Sequence, residues 1–144
     1  MITIRDMQID DLEQVMPIES ENFSVPWSET GFFSFLIRED AIFLVAEEER
    51  EILGYCGVLM VPDEGDITNV AVKKDRQHQG IGKLLVQELI KKSSDAGVTT
   101  LHLEVRESNT PAIGLYQKLG FVQVGVRRNY YEAPAEDGIM MVRR

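Results

Sequence analysis

Apolar and polar residues alternate over residues 2–5, and then recur at helical spacing over 10–21, where Leu12, Val15, Met16 and Glu19 fall on one face. The pattern predicts a strand followed by a helix, with Asp10 or Asp11 as its cap and Pro17 kinking or shortening it. A loop through Asn22, Phe23, Ser24, Val25, Pro26 and Trp27 leads to Ser28, the expected cap of a second helix over 29–38. Apolar runs at 41–46 and 52–61 read as strands, and the charged run 47–51 between them reads as a solvated hairpin tip. Another strand is expected over 66–72. Residues 80–96 are strongly amphipathic, with Ile81, Leu84, Leu85, Leu89 and Ile90 on one side and Gly97 as the stop. Leu101, Leu103 and Val105 then alternate with His102, Glu104 and Arg106, which predicts a strand with a polar face. A short helix over 109–119 has Pro111 in its first turn and Gly120 at its end, and strands follow near 121–131 and 138–143. Strands mixed with helices in this order predict an α/β fold around a mixed sheet.

The length of 144 residues fits one domain spanning 1–144. No stretch approaches the roughly 18 apolar residues of a membrane span, and no apolar segment of the signal-peptide kind follows the first residues. Cys56 is the single cysteine, which rules out an internal disulfide and makes the reducing cytoplasm the expected compartment. It lies in the apolar run Tyr55-Cys56-Gly57-Val58-Leu59-Met60 and is expected to be a buried structural thiol. The net charge of −9 argues against nucleic acid as a partner, because such binding rests on phosphate neutralisation. It suits a basic or amine-bearing substrate, although acidity also serves solubility alone.

Two stretches carry chemistry. In the first, a strand ending Val70-Ala71-Val72 gives way to a polar turn and then a helix, through Gln77-His78-Gln79-Gly80-Ile81-Gly82-Lys83. Backbone N–H groups at a helix start, reinforced by the helix dipole, bind phosphate, and glycine lets the anion approach closely. Lys73, Lys74, Arg76 and Lys83 set against Asp75 make the segment basic within an acidic chain. The spacing is neither that of a Walker loop nor that of the dinucleotide fingerprint. Two glycines alone fit a plain tight turn equally well. In the second stretch, Glu104 stands on the polar face of its strand, Asn109 marks the change from strand to helix, and Tyr116 lies two turns further on. A carboxylate and a phenol in one cleft can remove one proton and return another. Each also has a plain reading: an exposed strand residue, an N-cap and a core aromatic.

Together the two stretches resemble the GNAT superfamily, whose cofactor motif Arg/Gln-x-x-Gly-x-Gly/Ala is matched by Gln77 through Gly82. The order of elements agrees along nearly the whole chain. Pro26-Trp27-Ser28-Glu29, Asn69-Val70-Ala71-Val72, Leu103-Glu104-Val105-Arg106, Ser108-Asn109 and Arg127-Arg128-Asn129-Tyr130-Tyr131 resemble the RimI family of ribosomal-protein alanine N-acetyltransferases within it. The resemblance implies a central, splayed sheet of about seven strands flanked by helices. It implies acetyl-coenzyme A as co-substrate, held by Val70, Ala71, Val72, His78, Gln79, Gly80, Ile81, Gly82, Lys83 and Asn109. It implies Glu104 as proton acceptor and Tyr116 as proton donor, with a protein N-terminus, an alanine of a small-subunit ribosomal protein, as acceptor. The short acidic hairpin expected near Glu136-Asp137-Gly138 and the end at Arg144 depart from the pattern.

In chemical terms, an α-amine with a pKa of about 7.7–8.0 must lose a proton to attack a thioester, and Glu104 takes it directly or through a water. Tyr116 then protonates the departing thiolate. No metal is needed, and His78 and His102 are read as turn and strand-face residues. Trp27, Arg128, Tyr130 and Tyr131 either line the acceptor groove or serve ordinary packing and surface. Two rival functions remain: a GNAT enzyme for small amines, and a noncatalytic sensor of acetyl-coenzyme A.

Overall fold

A computed structural model describes all residues, Met1–Arg144. The strands are β1 (Thr3–Asp6), β2 (Ala41–Glu48), β3 (Glu51–Val61), β4 (Glu64–Val72), β5 (Thr100–Arg106), β6 (Val122–Glu132) and β7 (Ala135–Arg143). The helices are α1 (Leu12–Asn22), α2 (Glu29–Leu36), α3 (Ile81–Asp95) and α4 (Thr110–Lys118). The seven strands form one sheet in the order β1-β2-β3-β4-β5-β7-β6. Every neighbouring pair is antiparallel except β4 and β5, which run parallel. The mixed sheet expected from the alternation is therefore present. No helix is long and apolar enough to cross a membrane.

Alternation within the strands supplies two apolar faces, and the helices cover both. Leu44, Ala46, Cys56 and Val58 pack with Ile81, Leu85, Val86 and Leu89 of α3 and Tyr116 of α4. Phe43, Val45, Ile52 and Tyr55 pack on the other face with Val15 and Ile18 of α1 and Phe32 of α2. Leu85 and Leu89 are fully buried, so truncating either to Ala is expected to cost about 2–5 kcal/mol. On the α2 side the Phe43 ring lies against Gly57, where an added Cβ would sit 2.2 Å from a ring carbon.

Local chemistry fixes most boundaries. Ser28 caps α2 by accepting from the Gly31 N–H at 3.0 Å. Asn109 caps α4 by accepting from Ala112, with Pro111 in the first turn. Gly97 and Gly120 follow α3 and α4 with φ of 96° and 94°, the left-handed conformation that ends helices. Other expectations need correction. Pro17 does not shorten α1, which runs through it to Asn22. Neither aspartate caps α1 through its side chain: the Asp11 carboxylate turns back to the Gln8 N–H and to Arg5. The second helix stops at Leu36. Leu84 is exposed rather than on the buried side of α3.

Candidate active site

The site is organised by a gap in the sheet. β4 and β5 pair only at Glu64 with Thr100, Gly65 with Leu101 and Asp66 with His102. Beyond that point β4 continues to Val72 against β3, and β5 continues to Arg106 against β7. The two central strands thus diverge toward their C-terminal ends, where a parallel strand pair in an α/β sheet presents ligand sites. A bulge follows the last β4–β5 pair on β4: Gly57 pairs with Asn69 and Val58 with Ile67, so Thr68 is the extra residue. Val70 and Val72 then face the α3 side, and Ala71 is buried toward α1.

The turn after β4 lies at the mouth of this gap. His78 and Gly80 take φ of 64° and 82°, and α3 begins at Ile81. None of the N–H groups of Gln77, His78, Gln79, Gly80, Ile81, Gly82 and Lys83 donates to a backbone carbonyl. They are the unpaired donors of a helix start, a group suited to a phosphate chain. A Cβ on Gly82 would lie 3.5 Å from Leu115 and 3.9 Å from Val72, so Gly82 faces both α4 and the end of β4. Gln77 is engaged elsewhere: its amide donates to Asn22 Oδ1 and to the Val72 carbonyl, tying the turn to α1. The basic patch is also smaller than the sequence indicated. Lys73 pairs with Glu51 at 2.6 Å and Arg76 with Glu48 at 3.0 Å. The charged hairpin run is thus a partner of the turn, and Lys74 and Lys83 keep their charge for a ligand.

On the opposite lip, Glu104 is half-buried on β5 and its Oε1 forms an ion pair with Arg127 Nε at 3.1 Å. Tyr116 is buried in the core layer beneath, edge-on to Phe121 at 5.7 Å. Burial, and then the fields of Cys56 and Tyr131, push its phenol above the ordinary tyrosine range. Tyr131 is pushed up to about 12, mainly by burial and then by Tyr130 and Glu104. Tyr131 therefore lies within electrostatic reach of both Glu104 and Tyr116. Cys56 is fully buried, its thiol directed at the Leu85 carbonyl and pushed up by burial, as expected of a structural cysteine.

β6 departs from regular pairing beside Glu104. Arg127 pairs with Gly138 and Tyr131 with Glu136, so Arg128, Asn129 and Tyr130 bulge out opposite Asp137. Asp137 accepts from the Asn129 N–H at 2.8 Å, which holds the bulge. Arg128 and Tyr130 are exposed, whereas the Tyr131 ring lies under the Arg106 guanidinium at 4.4 Å. Arg106 also pairs with Glu136, and Glu136 accepts from the Ser108 N–H ahead of α4. The acidic segment 136–138 is thus part of β7 and a brace for the site, not a hairpin tip. Trp27 lies on the other side of β4, stacked on Phe35 at 4.7 Å and packed against Phe32 and Phe43. Its ring is largely a packing element. Glu19, Arg106, Arg127 and Glu136 were given no role in the site from sequence, because their partners are distant in the chain.

A family model described as Acetyltransferase (GNAT) family matches residues 12–121. The [ribosomal protein bS18]-alanine N-acetyltransferase of Escherichia coli strain K12 is 38% identical over 138 residues, covering 96% of this chain and 91% of its own. An N-alpha-acetyltransferase of Sulfurisphaera tokodaii is 32% identical over 151 residues, covering 96% of this chain and 90% of its own. The crystal structure of the ribosomal-protein-S18-alanine N-acetyltransferase from Escherichia coli superimposes with a TM-score of 0.91 at 37% identity, covering 99% of this chain and 93% of that one.

Proposed function

The chain belongs to the acetyltransferase (GNAT) family, and we propose that it acetylates the N-terminal α-amine of a protein, an alanine of a small-subunit ribosomal protein, within the cytoplasm. The observation that carries this reading is the divergence of β4 from β5, with unpaired N–H groups at one end and Glu104 on the facing lip. The whole chain, 1–144, acts as one catalytic domain. Acetyl-coenzyme A fits this opening, and when bound it supplies an activated thioester. The N–H groups of Gln79, Gly80, Ile81, Gly82 and Lys83 would hold its phosphates, with Lys83 adding charge. Val70, Ala71 and Val72 would flank its pantetheine arm, with Asn109 near its exit.

Glu104 takes the proton of the acceptor amine, directly or through a water. Arg127 stands as its counter-ion until the substrate's ammonium arrives. The ammonium first loses one proton to solvent, the neutral amine attacks, and its nitrogen becomes acidic as it bonds to carbon, so that a carboxylate with a free pKa of about 4.3 can take the second proton. An N–H of residues 70–71 is available to stabilise the negative charge that develops on the carbonyl oxygen. Tyr116, kept neutral by burial, donates a proton to the departing sulfur. The bulged segment carrying Arg128 and Tyr130, with Tyr131 beneath, is the acceptor-binding edge.

Mass mapping after incubation with acetyl-coenzyme A and peptides varied at the first residue tests the reading. One acetyl group on the α-amine of Ala-starting peptides is expected, with no product from N-terminally blocked ones. Acetylation of lysine side chains in blocked peptides at a comparable rate, or preference for free small amines, would overturn the N-terminal assignment.

A further inference from the structure

We propose that Glu19 is a positioning residue whose buried carboxylate latches the loop between α1 and α2 to the bulged part of β4. The inference rests on the proposed function and takes that loop, through Trp27, as a further wall of the acceptor groove. Glu19 is 2% exposed, within a layer formed by Val15, Ile18, Phe32 and Tyr55. A carboxylate is seldom buried so completely unless its charge is satisfied. Here its donors come from separate segments. The Trp27 N–H donates to Oε2 at 2.8 Å, and the Tyr55 hydroxyl of β3 and the Asn69 amide of β4 both donate to Oε1, Asn69 at 3.3 Å.

The position of these donors gives the latch its meaning. Asn69 is the first paired residue after the extra Thr68, just past the point where β4 leaves β5. Its amide is oriented on both sides, since Thr68 donates to Oδ1 at 2.7 Å while Nδ2 donates to Glu19. Trp27 lies between α1 and α2, and its ring is wedged among Phe32, Phe35 and Phe43. One carboxylate therefore sets the depth of the loop and the rotation of the bulge together. Packing alone does not require it. Well-packed apolar groups commonly replace a buried charge without loss of stability, whereas they carry no directional hydrogen bonds. The latch assigns Glu19 to placement of the acceptor side, not to contact with reacting atoms.

The test uses the full chain with Glu19→Met, which fills the space without a charge, and Tyr55→Phe, which removes a single donor. Trp27 is the only tryptophan, so its fluorescence reports the loop without any assay of activity. Glu19→Met is expected to fold, to raise acrylamide quenching of Trp27, and to raise the peptide KM roughly tenfold, the scale of one lost charge-assisted hydrogen bond. Cofactor affinity should stay within about twofold. Tyr55→Phe should shift both readouts in the same direction by less, which keeps the test alive should Glu19→Met fail to fold. Wild-type quenching and wild-type peptide KM in a folded variant would overturn the proposal. So would a loss of cofactor affinity in step with peptide affinity, which would mark general loosening. If no Ala-starting peptide is acetylated even by the wild type, the proposed acceptor is wrong, and Trp27 quenching still decides the latch.

Discussion

Glu104 has one ion-pair partner, Arg127, whose side chain is 54% exposed. An ion pair this open to water contributes under ~1 kcal/mol to stability. Replacing Glu104 by Gln should therefore leave the melting temperature nearly unchanged. Turnover should fall by ~10²–10⁴, the usual contribution of a positioned general base, while cofactor affinity holds. Steady-state kinetics and a binding titration on the same preparation check this; wild-type turnover would reduce Glu104 to a strand residue. Strand alternation put Glu104 on a polar face, and the helix spacing placed Tyr116, so both candidates were legible locally. Arg127 and Glu19 were not. Glu19 fell at apolar helical spacing, which hinted at burial, but its partners Tyr55 and Asn69 lie 36 and 50 residues away. No local pattern encodes a pairing that only the folded sheet creates.

Among elements, the start of α3 separates the roles of its two glycines. Gly80 has φ of 82° and open space around its Cα, so any L-residue there pays mainly in backbone strain, about 1–2 kcal/mol. Gly82 is helical, and a Cβ would meet Leu115 and Val72 at ordinary contact distances. Gly82→Val should therefore keep the fold and weaken acetyl-coenzyme A binding, because added bulk fills the approach to the free N–H groups. Gly80→Val should lose stability as well. Paired thermal melts and cofactor titrations distinguish these outcomes; unchanged affinity in folded Gly82→Val would remove the phosphate role from the turn. At the sheet edge, Arg5 bridges Asp11 and Glu47 and holds both carboxyls below their usual range, chiefly through side-chain hydrogen bonds. Groups with depressed folded pKa values stabilise the fold above their unfolded pKa of about 4, and the contribution fades as pH falls through the lower folded values. Arg5→Gln should thus narrow the loss of melting temperature between about pH 5 and pH 3 relative to the wild type. A variant as acid-sensitive as the wild type would exclude the bridge from the acid transition. These elements also show what sequence reading captures. The Ser28, Asn109, Gly97 and Gly120 boundaries follow from neighbours in the chain and were legible. Asp11 was misread because Arg5 competes for its carboxylate, and burial of Val15, Ile18 and Glu19 against the sheet carries α1 past Pro17 without shortening it.

At the scale of the whole molecule, the net charge of −9 becomes a statement about encounter with the acceptor. The candidate acceptor edge is locally balanced, because Arg106, Arg127 and Arg128 each face a carboxylate, Glu136, Glu104 and Asp137. Lys73 and Arg76 are likewise matched by Glu51 and Glu48. The local ion pairs leave the broad negative field of the molecule as the attraction for a cationic peptide. Such a field acts over distance, raising the rate of encounter without adding a contact, and salt removes it because the screening length is about 8 Å at physiological ionic strength. An Ala-starting peptide followed by lysines or arginines should therefore show a peptide KM that rises severalfold between about 10 mM and 150 mM salt. A neutral peptide with the same first residues should change little. Turnover at saturation should stay constant for both, since the chemistry at Glu104 does not depend on how the substrate arrived. Initial rates across a salt series, with the two peptides assayed in parallel, measure the difference. Equal salt dependence for both peptides would show that the charge of the chain serves solubility alone, and that acceptor choice is made entirely by contacts along the bulged edge of β6.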